Sequence, residues 1–318
     1  MINYSVCLFR GLRKILTPND FHVCSDYIDY ADQEANDYIY QILSEGKPCM
    51  IAKFGTVELD AVLSYYFEER GITPRIYWEA LRRRACIFPE TQLPTLCNNA
   101  GFFPKDIEKG RLFYQRMMHD ISEVDVLASY IRGEKYLSQY MNCKRVNLNG
   151  YYAPFLWDNP WTRVLRGKKI LIVHPFVNTI KKQYEQNRTR LFEDPDVLPE
   201  FDSIDYVKAV QTIAGEKSNF KDWFDALKYM EEEIYKKDFD VAIIGCGAYG
   251  FCLAAYVKRL GKQAIHLAGW TQILFGIYGN RWLNDNEIVK RYINNYWVRP
   301  SEEERPKDAS KVESACYW

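Results

Sequence analysis

The chain has 318 residues, of which 47% are hydrophobic and 26% charged, so it can bury a substantial core and is not a disordered protein. Lysine plus arginine and aspartate plus glutamate number 42 each, and this balance gives no reason to expect nucleic acid as a partner. The composition favours a globular protein with one large unit or two lobes.

Residues 1–30 are predicted to form a separate N-terminal segment, in which apolar residues alternate with Arg10, Arg13 and Lys14. A docking helix is one interpretation, and peripheral attachment to the inner face of an anionic membrane is the other. No apolar run approaches the roughly 20 residues that cross a bilayer, and the nine cysteines include no C-x-x-C pair. We therefore expect a cytoplasmic protein with reduced thiols.

Residues 31–165 are predicted to form a first α/β half. A helical pattern leads to the strand CMIAKFG, which ends at Gly55, and the helix TVELDAVLSYYFEERG follows. Lys53, Thr56 and Glu58 flank this turn. In a functional interpretation Glu58 contacts a donor sugar or a metal ion, while Lys53 and the turn at Gly55 and Thr56 contact phosphates. In a structural interpretation Glu58 only favours the positive end of the helix dipole, which is worth ~0.3 to 1 kcal/mol.

Residues 166–298 are predicted to form a Rossmann-like, nucleotide-binding half. The strand KKILIV ends at His174, a helix and the strand IDYVKAV follow, and a long amphipathic helix precedes the apolar strand of FDVAIIGCGAYG. Strands that alternate with helices predict an α/β fold with a largely parallel sheet and flanking helices. The carboxyl edge of such a sheet forms the binding site.

The glycines of GCGAYG, Gly245, Gly247 and Gly250, match G-x-G-x-x-G between a strand and a helix. The first glycine permits a tight turn, the second lets a phosphate approach, and the third lets helix and strand pack closely. Dinucleotide enzymes place an acidic residue about 20 positions further on, whereas the next strand here, QAIHLAG, offers His266. An NAD(P) site and a turn that only packs a helix on a sheet both stay open.

His174 and His266 each follow a predicted parallel strand and could share a cleft, where they would bind phosphate or a metal ion. We assign His266, together with Glu58, to the catalytic group, although a strand-end histidine can also be structural. The loop HLAGWTQILFGIYGNRW contributes Gly269 and Gln272, and Arg281 could neutralise a diphosphate. Residues 299–318 contain two prolines, mixed charge and few apolar side chains, so this tail is predicted to be mobile.

The segment KFGTVELDAV resembles the RFGxxE or FGDGE signature of the GT-D-type bacterial glycosyltransferases. Further blocks agree in order with proteins of surface or capsular polysaccharide synthesis, so that the resemblance covers roughly residues 45 to 285. These blocks are NNAGFFP, PWTRVLRGKKILIVHPF and IIGCGAYGFCLAAYVKRLGKQAIHLAGWTQILFGIYGNRW.

The resemblance implies transfer of a sugar from a nucleotide donor, a UDP-sugar, to a glycan or lipid-linked glycan. It also implies a Mn²⁺ or Mg²⁺ ion held by an Asp-x-Glu pair. This chain departs from the pattern, because Thr56 stands in place of the aspartate and Lys53 in place of the arginine, while Glu58 is retained. Metal-dependent transfer with Glu58 as a ligand, and metal-independent transfer, are both open. An NAD(P)-dependent oxidoreductase and a noncatalytic nucleotide-sugar-binding protein are the alternatives.

Overall fold

The structure is a computed structural model that describes residues 27–82, 85–284, 286–307, 309–311 and 316–318. Most of the predicted N-terminal segment, residues 1–26, lies outside this range. No helix among the described residues is long and apolar enough to cross a bilayer.

Seven strands form a single sheet in which every neighbouring pair is parallel. In space the order is β3-β2-β1-β7-β6-β4-β5. The predicted α/β fold with a parallel sheet is confirmed, and strands from both predicted halves belong to this one sheet. The strands are β1 (Cys49–Ala52), β2 (Val126–Ala128), β3 (Lys144–Val146), β4 (Lys169–His174), β5 (Ser203–Lys208), β6 (Val241–Ile244) and β7 (Gln263–His266).

Helices cover both faces of the sheet, as parallel strands require. In chain order the α-helices among the described residues are α1 (Asp32–Ser44), α2 (Thr56–Arg70), α3 (Pro74–Leu81), α4 (Pro89–Ala100), α5 (Ile107–Asp120), α6 (Leu148–Tyr152), α7 (Val177–Leu191), α8 (Trp223–Tyr235), α9 (Gly250–Arg259), α10 (Trp270–Leu274), α11 (Asn280–Asn284) and α12 (Glu287–Lys290).

Two apolar cores lie on opposite faces because successive strand residues point in opposite directions. In β1, Met50 and Ala52 face the core that contains α2, α5, α8 and α9, whereas Cys49 and Ile51 face the core that contains α1 and α7. Strands buried on both faces read as continuous apolar runs, and this explains the unbroken CMIA and VAII segments.

The register of the four central strands brings the predicted turns to one edge. Ile51 of β1 is opposite Ile265 of β7, which is opposite Ile243 of β6, which is in turn opposite Ile172 of β4. The four strands therefore end side by side, and a strand spacing of about 4.8 Å places the outer two ends roughly 14 Å apart.

The chain leaves these neighbouring strand ends in alternate directions. After β1 and β6 it passes to the core that holds α2 and α9, and after β4 and β7 it passes to the opposite core, which holds α7 and α10. Connections that diverge in this way open crevices at the carboxyl edge, where open α/β sheets bind their ligands.

The tail, where the structure describes it, packs against the body of the protein, and its predicted mobility stays a prediction. Glu304 and Trp318 are each only 4% exposed. The composition of residues 299–318 suggested a solvated segment, but its last three residues, Cys316, Tyr317 and Trp318, are apolar or aromatic and pack against the body of the protein.

Candidate functional site

A cavity of about 390 Å³ lies at the carboxyl edge, between the ends of β1, β7, β6 and β4. This volume is in the range of cavities that bind small-molecule ligands. Except for Gly250, all of the predicted site residues line it. They are Lys53, Gly55, Thr56, Glu58, His174, Gly245, Gly247, His266, Gly269, Gln272 and Arg281.

Lys53 follows β1 directly and is half-buried in the cavity wall among aromatic rings. Its Nζ lies 5.5 Å from the ring centre of Tyr130, and Tyr152 is a second neighbour. Burial alone lowers the pKa of Lys53, but the phenolic oxygens of the two tyrosines and the Glu58 carboxylate outweigh it and raise the pKa above its ordinary value. The side chain is therefore a fixed ammonium ion at physiological pH.

Glu58 is the third residue of α2 and folds back over the turn that precedes the helix. A Cβ atom added to Gly55 would lie 1.8 Å from Oε2 of Glu58, so only glycine leaves room for the carboxylate in this position. Glu58 is also the one acidic side chain among the described residues that line the cavity. The structure thus places a single carboxylate beside the Lys53 ammonium.

Thr56, which stands where the resembling family has an aspartate, belongs to a hydrogen-bonded chain. Its Oγ1 lies 3.1 Å from Oη of Tyr130, which itself donates to the backbone oxygen of Phe54 at 3.1 Å. The buried carboxylate of Glu134 fixes the Tyr130 turn by accepting from the backbone N–H groups of Tyr130 and Ile131. Thr56 thus holds Tyr130 against the strand end.

Both predicted histidines are buried and neutral. The N–H of Phe176 donates to Nδ1 of His174, so Nε2 carries the proton, and burial lowers the pKa of His174 from 6.5 to about 3. Burial, together with the nearby Lys53 ammonium, also lowers the pKa of His266 to about 3. Nδ1 of His266 donates to the backbone oxygen of Lys53 at 3.1 Å, and the buried Nε2 has no hydrogen-bond partner among the residues that the structure describes. This geometry favours a positioning role for His266 over proton transfer.

The free energy of unfolding is expected to fall on acidification, since the unfolded chain binds more protons than the folded one between pH 6.5 and about 3. The expected slope reaches roughly 1.4 kcal/mol per pH unit for each histidine, and above this window the contribution stays constant. Urea unfolding of the wild type and of His174→Gln at about pH 7 and about pH 5 measures it. If the substitution leaves the difference between the two pH values unchanged, His174 does not carry the effect.

The glycines of the turn after β6 are required by neighbouring protein atoms. A Cβ on Gly245 would lie 2.3 Å from the backbone oxygen of Ala268, and one on Gly247 would lie 2.7 Å from that of Ala100. Gly247 also has φ +57°. The sequence predicts that Gly247 lets a phosphate approach. The structure shows that glycine is also needed there because the turn packs closely against the end of α4.

Gly250 does not line the cavity but makes room for His266. A Cβ there would lie 2.4 Å from Nε2 of the imidazole. We expect Gly250→Ala to lower the free energy of unfolding by about 1 to 3 kcal/mol, as overpacking does in rigid cores. In the double variant with His266→Ala the two costs should not add, because the clashing ring is gone. Additive costs in denaturant titrations would contradict this contact.

The loop after β7 supplies an aromatic wall and a second cation. Trp270 stacks on Tyr152 with ring centres 4.8 Å apart, and both rings line the cavity. The Arg281 guanidinium lies 4.9 Å from the ring centre of Tyr317 and donates to its Oη at 3.3 Å. Gln272 stabilises the loop, because its Nε2 donates to the backbone oxygens of Ile277 and Tyr317.

Sequence reasoning missed several aromatic residues of the cavity wall, among them Tyr130, Tyr152, Tyr317 and Trp318. None of them lies in a recognisable motif. The sequence signal that could have pointed to Tyr130 is its position at the end of the strand-like segment DVLASY, because the ends of neighbouring parallel strands meet at one edge.

The described residues do not fit the metal-binding pair of the resembling family. Mg²⁺ and Mn²⁺ prefer several oxygen ligands, but Glu58 is the one acidic side chain among the described residues that line the cavity, and it has an ammonium ion as its neighbour. No group of three or more histidine, cysteine, aspartate or glutamate side chains in the described ranges is placed to hold a metal ion.

Comparison with known proteins gives no functional assignment. No protein-family profile and no curated protein matches the chain. Among solved structures, it is similar to one described as the selenomethionine-substituted domain of unknown function 1792 (DUF1792), with 13% sequence identity, 82% of each chain covered and a TM-score of 0.36. A likeness at this level carries no argument about function, so the function has to be argued from the site.

Proposed function

We propose that this protein is a glycosyltransferase that takes its sugar from a nucleoside-diphosphate donor. One observation carries the proposal: the turn at Gly55 and the turn at Gly245 line the same cavity, together with two cations, Lys53 and Arg281, and one carboxylate, Glu58. The resemblance of KFGTVELDAV to the GT-D signature points to the same chemistry.

The charges of the cavity suit a diphosphate. With both histidines neutral, the side chains of Lys53 and Arg281 outnumber the single acidic side chain, Glu58, among the described lining residues. Hydrogen bonds from cations to phosphate oxygens are about twice as strong as neutral ones.

In the proposed reaction, an acceptor hydroxyl attacks the anomeric carbon of the donor sugar. A bond forms between that oxygen and the anomeric carbon, and the bond from the anomeric carbon to the phosphate oxygen breaks. Glu58 takes the proton of the hydroxyl as general base. The nucleoside diphosphate leaves with the bonding electron pair, and Lys53 and Arg281 stabilise the negative charge that develops on it.

We propose that this transfer needs no divalent metal ion. In the resembling family a metal ion bound by an Asp-x-Glu pair neutralises the diphosphate. Here Thr56 replaces the aspartate and is engaged with Tyr130, and the Lys53 ammonium stands beside Glu58. Fixed cations of the protein take over that electrostatic role.

The finer assignments rest on the sequence resemblance. We propose a UDP-sugar as donor, a glycan or lipid-linked glycan as acceptor, and a role in bacterial surface polysaccharide synthesis in the cytoplasm. The stacked pair Tyr152 and Trp270 offers a flat apolar surface of the kind that packs on a sugar ring or a nucleobase.

Thermal shift with a panel of nucleotide sugars, with and without Mn²⁺, tests the proposal. We expect at least one nucleoside-diphosphate sugar to raise the melting temperature without Mn²⁺, since a ligand that binds only the folded state stabilises it. A shift with NAD(P)H but with no nucleotide sugar would instead favour an oxidoreductase. Binding of a nucleotide sugar without hydrolysis or transfer would favour the noncatalytic protein.

A further inference from the structure

The last residues of the chain are built into the wall of the cavity. The backbone oxygens of Cys316 and Trp318 accept from the N–H groups of Arg281 at 3.0 Å and Asn280 at 3.1 Å. The backbone oxygen of Tyr317 accepts from Nε2 of Gln272 at 3.4 Å. Residues 316–318 thus run along the loop that carries Arg281.

Two glycines of that loop make room for Tyr317. A Cβ on Gly279 would lie 2.3 Å from the backbone carbon of Tyr317, and one on Gly269 would lie 2.7 Å from Cε1 of its ring. Since any larger residue at either position would push the tyrosine away, the glycine content of the loop matches a docked Tyr317.

Tyr317 contacts Arg281, one of the two cations of the cavity. Its ring lies under the Arg281 guanidinium at 4.9 Å, and its Oη accepts from Nη1 at 3.3 Å. The same phenol is one of the groups that raise the pKa of Lys53. The contact of Tyr317 with the guanidinium therefore fixes where the charge of Arg281 stands on the cavity wall.

Further contacts hold the tail in place on the β4 side of the cavity. Trp318 packs on Phe176 with ring centres 5.8 Å apart. Glu304 accepts from the backbone N–H groups of Asn178 at 2.8 Å and Thr179 at 3.2 Å, in the first turn of α7. The tail is thus anchored at two places besides Tyr317.

We propose that Tyr317 is a positioning residue for the diphosphate, which holds the Arg281 guanidinium on the wall of the cavity that Lys53 also lines. This inference rests on the proposed function. It assigns the tail, which the sequence suggests is mobile, a direct part in binding the charged half of the donor.

Isothermal titration of UDP, inorganic pyrophosphate and uridine tests the inference with Tyr317→Ala, Tyr317→Phe and the control Tyr235→Ala, whose side chain is 71% exposed on α8. We expect Tyr317→Ala to weaken UDP and pyrophosphate roughly tenfold, as for a lost cation–π contact, and to leave uridine unchanged. Tyr317→Phe keeps the ring and should retain most of the affinity. Tyr235→Ala should match the wild type.

Combination with Arg281→Ala adds a second readout. If Tyr317 acts through Arg281, the two losses are not additive, and Tyr317→Ala has little further effect once the guanidinium is gone. Unchanged UDP and pyrophosphate affinities in Tyr317→Ala, or an equal loss for uridine, would overturn the inference. Should Tyr317→Ala fail to fold, Tyr317→Leu replaces it: roughly tenfold weaker UDP and pyrophosphate with unchanged uridine supports the inference, and wild-type affinity for UDP and pyrophosphate overturns it. A wild-type protein that binds neither UDP nor pyrophosphate would refute the proposed function itself.

Discussion

Replacement of Glu58 by glutamine is expected to lower the rate of sugar transfer by about 10²- to 10⁴-fold, the usual contribution of a general base. Glutamine has nearly the same shape and can occupy the space above Gly55, but it cannot accept the proton of the acceptor hydroxyl. The Kd of the donor should change little, because the phosphates contact Lys53 and Arg281. Single-turnover assays and donor titrations on the same protein separate the two effects.

Glu68→Gln is a matched control for this substitution. Glu68 lies on the same helix, α2, but outside the cavity, and it pairs with Arg111 on the surface at 3.0 Å. It should transfer sugar at the wild-type rate, since an exposed ion pair contributes about 0 to 1 kcal/mol to stability. A Glu58→Gln variant that is as active as this control would remove Glu58 from the reaction.

Replacement of Lys53 by methionine is expected to raise the Kd of the nucleoside-diphosphate donor by about 10- to 100-fold, because one charged hydrogen bond to a phosphate is worth about 1.5 to 3 kcal/mol. Methionine keeps the apolar stem that packs beside Tyr130 and Tyr152 but lacks the ammonium. Lys53→Arg should recover much of the affinity, since it restores the charge and the residue found in the resembling signature.

Lys47→Met is the control for the loss of a lysine near the same strand. Lys47 precedes β1 at the opposite end from Lys53, and its side chain is 78% exposed. Titration of UDP into both variants at low and high salt compares them directly. Equal affinities of Lys53→Met and Lys47→Met for UDP would contradict the assignment of Lys53 to the diphosphate.

Much of the fold could be predicted from the sequence because the local patterns are strong. The apolar runs CMIA and VAII end in glycine turns and are followed by helices, and a buried parallel strand followed by a crossover helix has this pattern. Since the carboxyl ends of parallel strands meet at one edge, the convergence of the turns at Gly55 and Gly245 follows once both strands join the same sheet.

The spatial order of the strands could not be read from the sequence. β1 and β7 are more than 200 residues apart along the chain yet pair directly, and this pairing brings Lys53 to His266. It depends on which helices cover which face, and no local pattern contains that information.

The partners of the site residues were hidden for the same reason. Tyr130 and Tyr152 reach Lys53 from two separate segments, and the packing requirement at Gly247 comes from Ala100 on a different helix. A glycine motif indicates that space is needed but not which atoms need it. Composition also did not predict the contacts of the tail. The charged residues dominate the composition of residues 299–318, but the apolar or aromatic residues 316–318 pack on the body of the protein.

A crystal structure of the protein with UDP tests the central claim most directly. The account predicts the diphosphate between the Gly55 and Gly245 turns, with phosphate oxygens at hydrogen-bond distance, about 2.7 to 3.2 Å, from Nζ of Lys53 and from the Arg281 guanidinium. UDP bound outside this cavity, or bound within it with its phosphates away from both cations, would contradict the account.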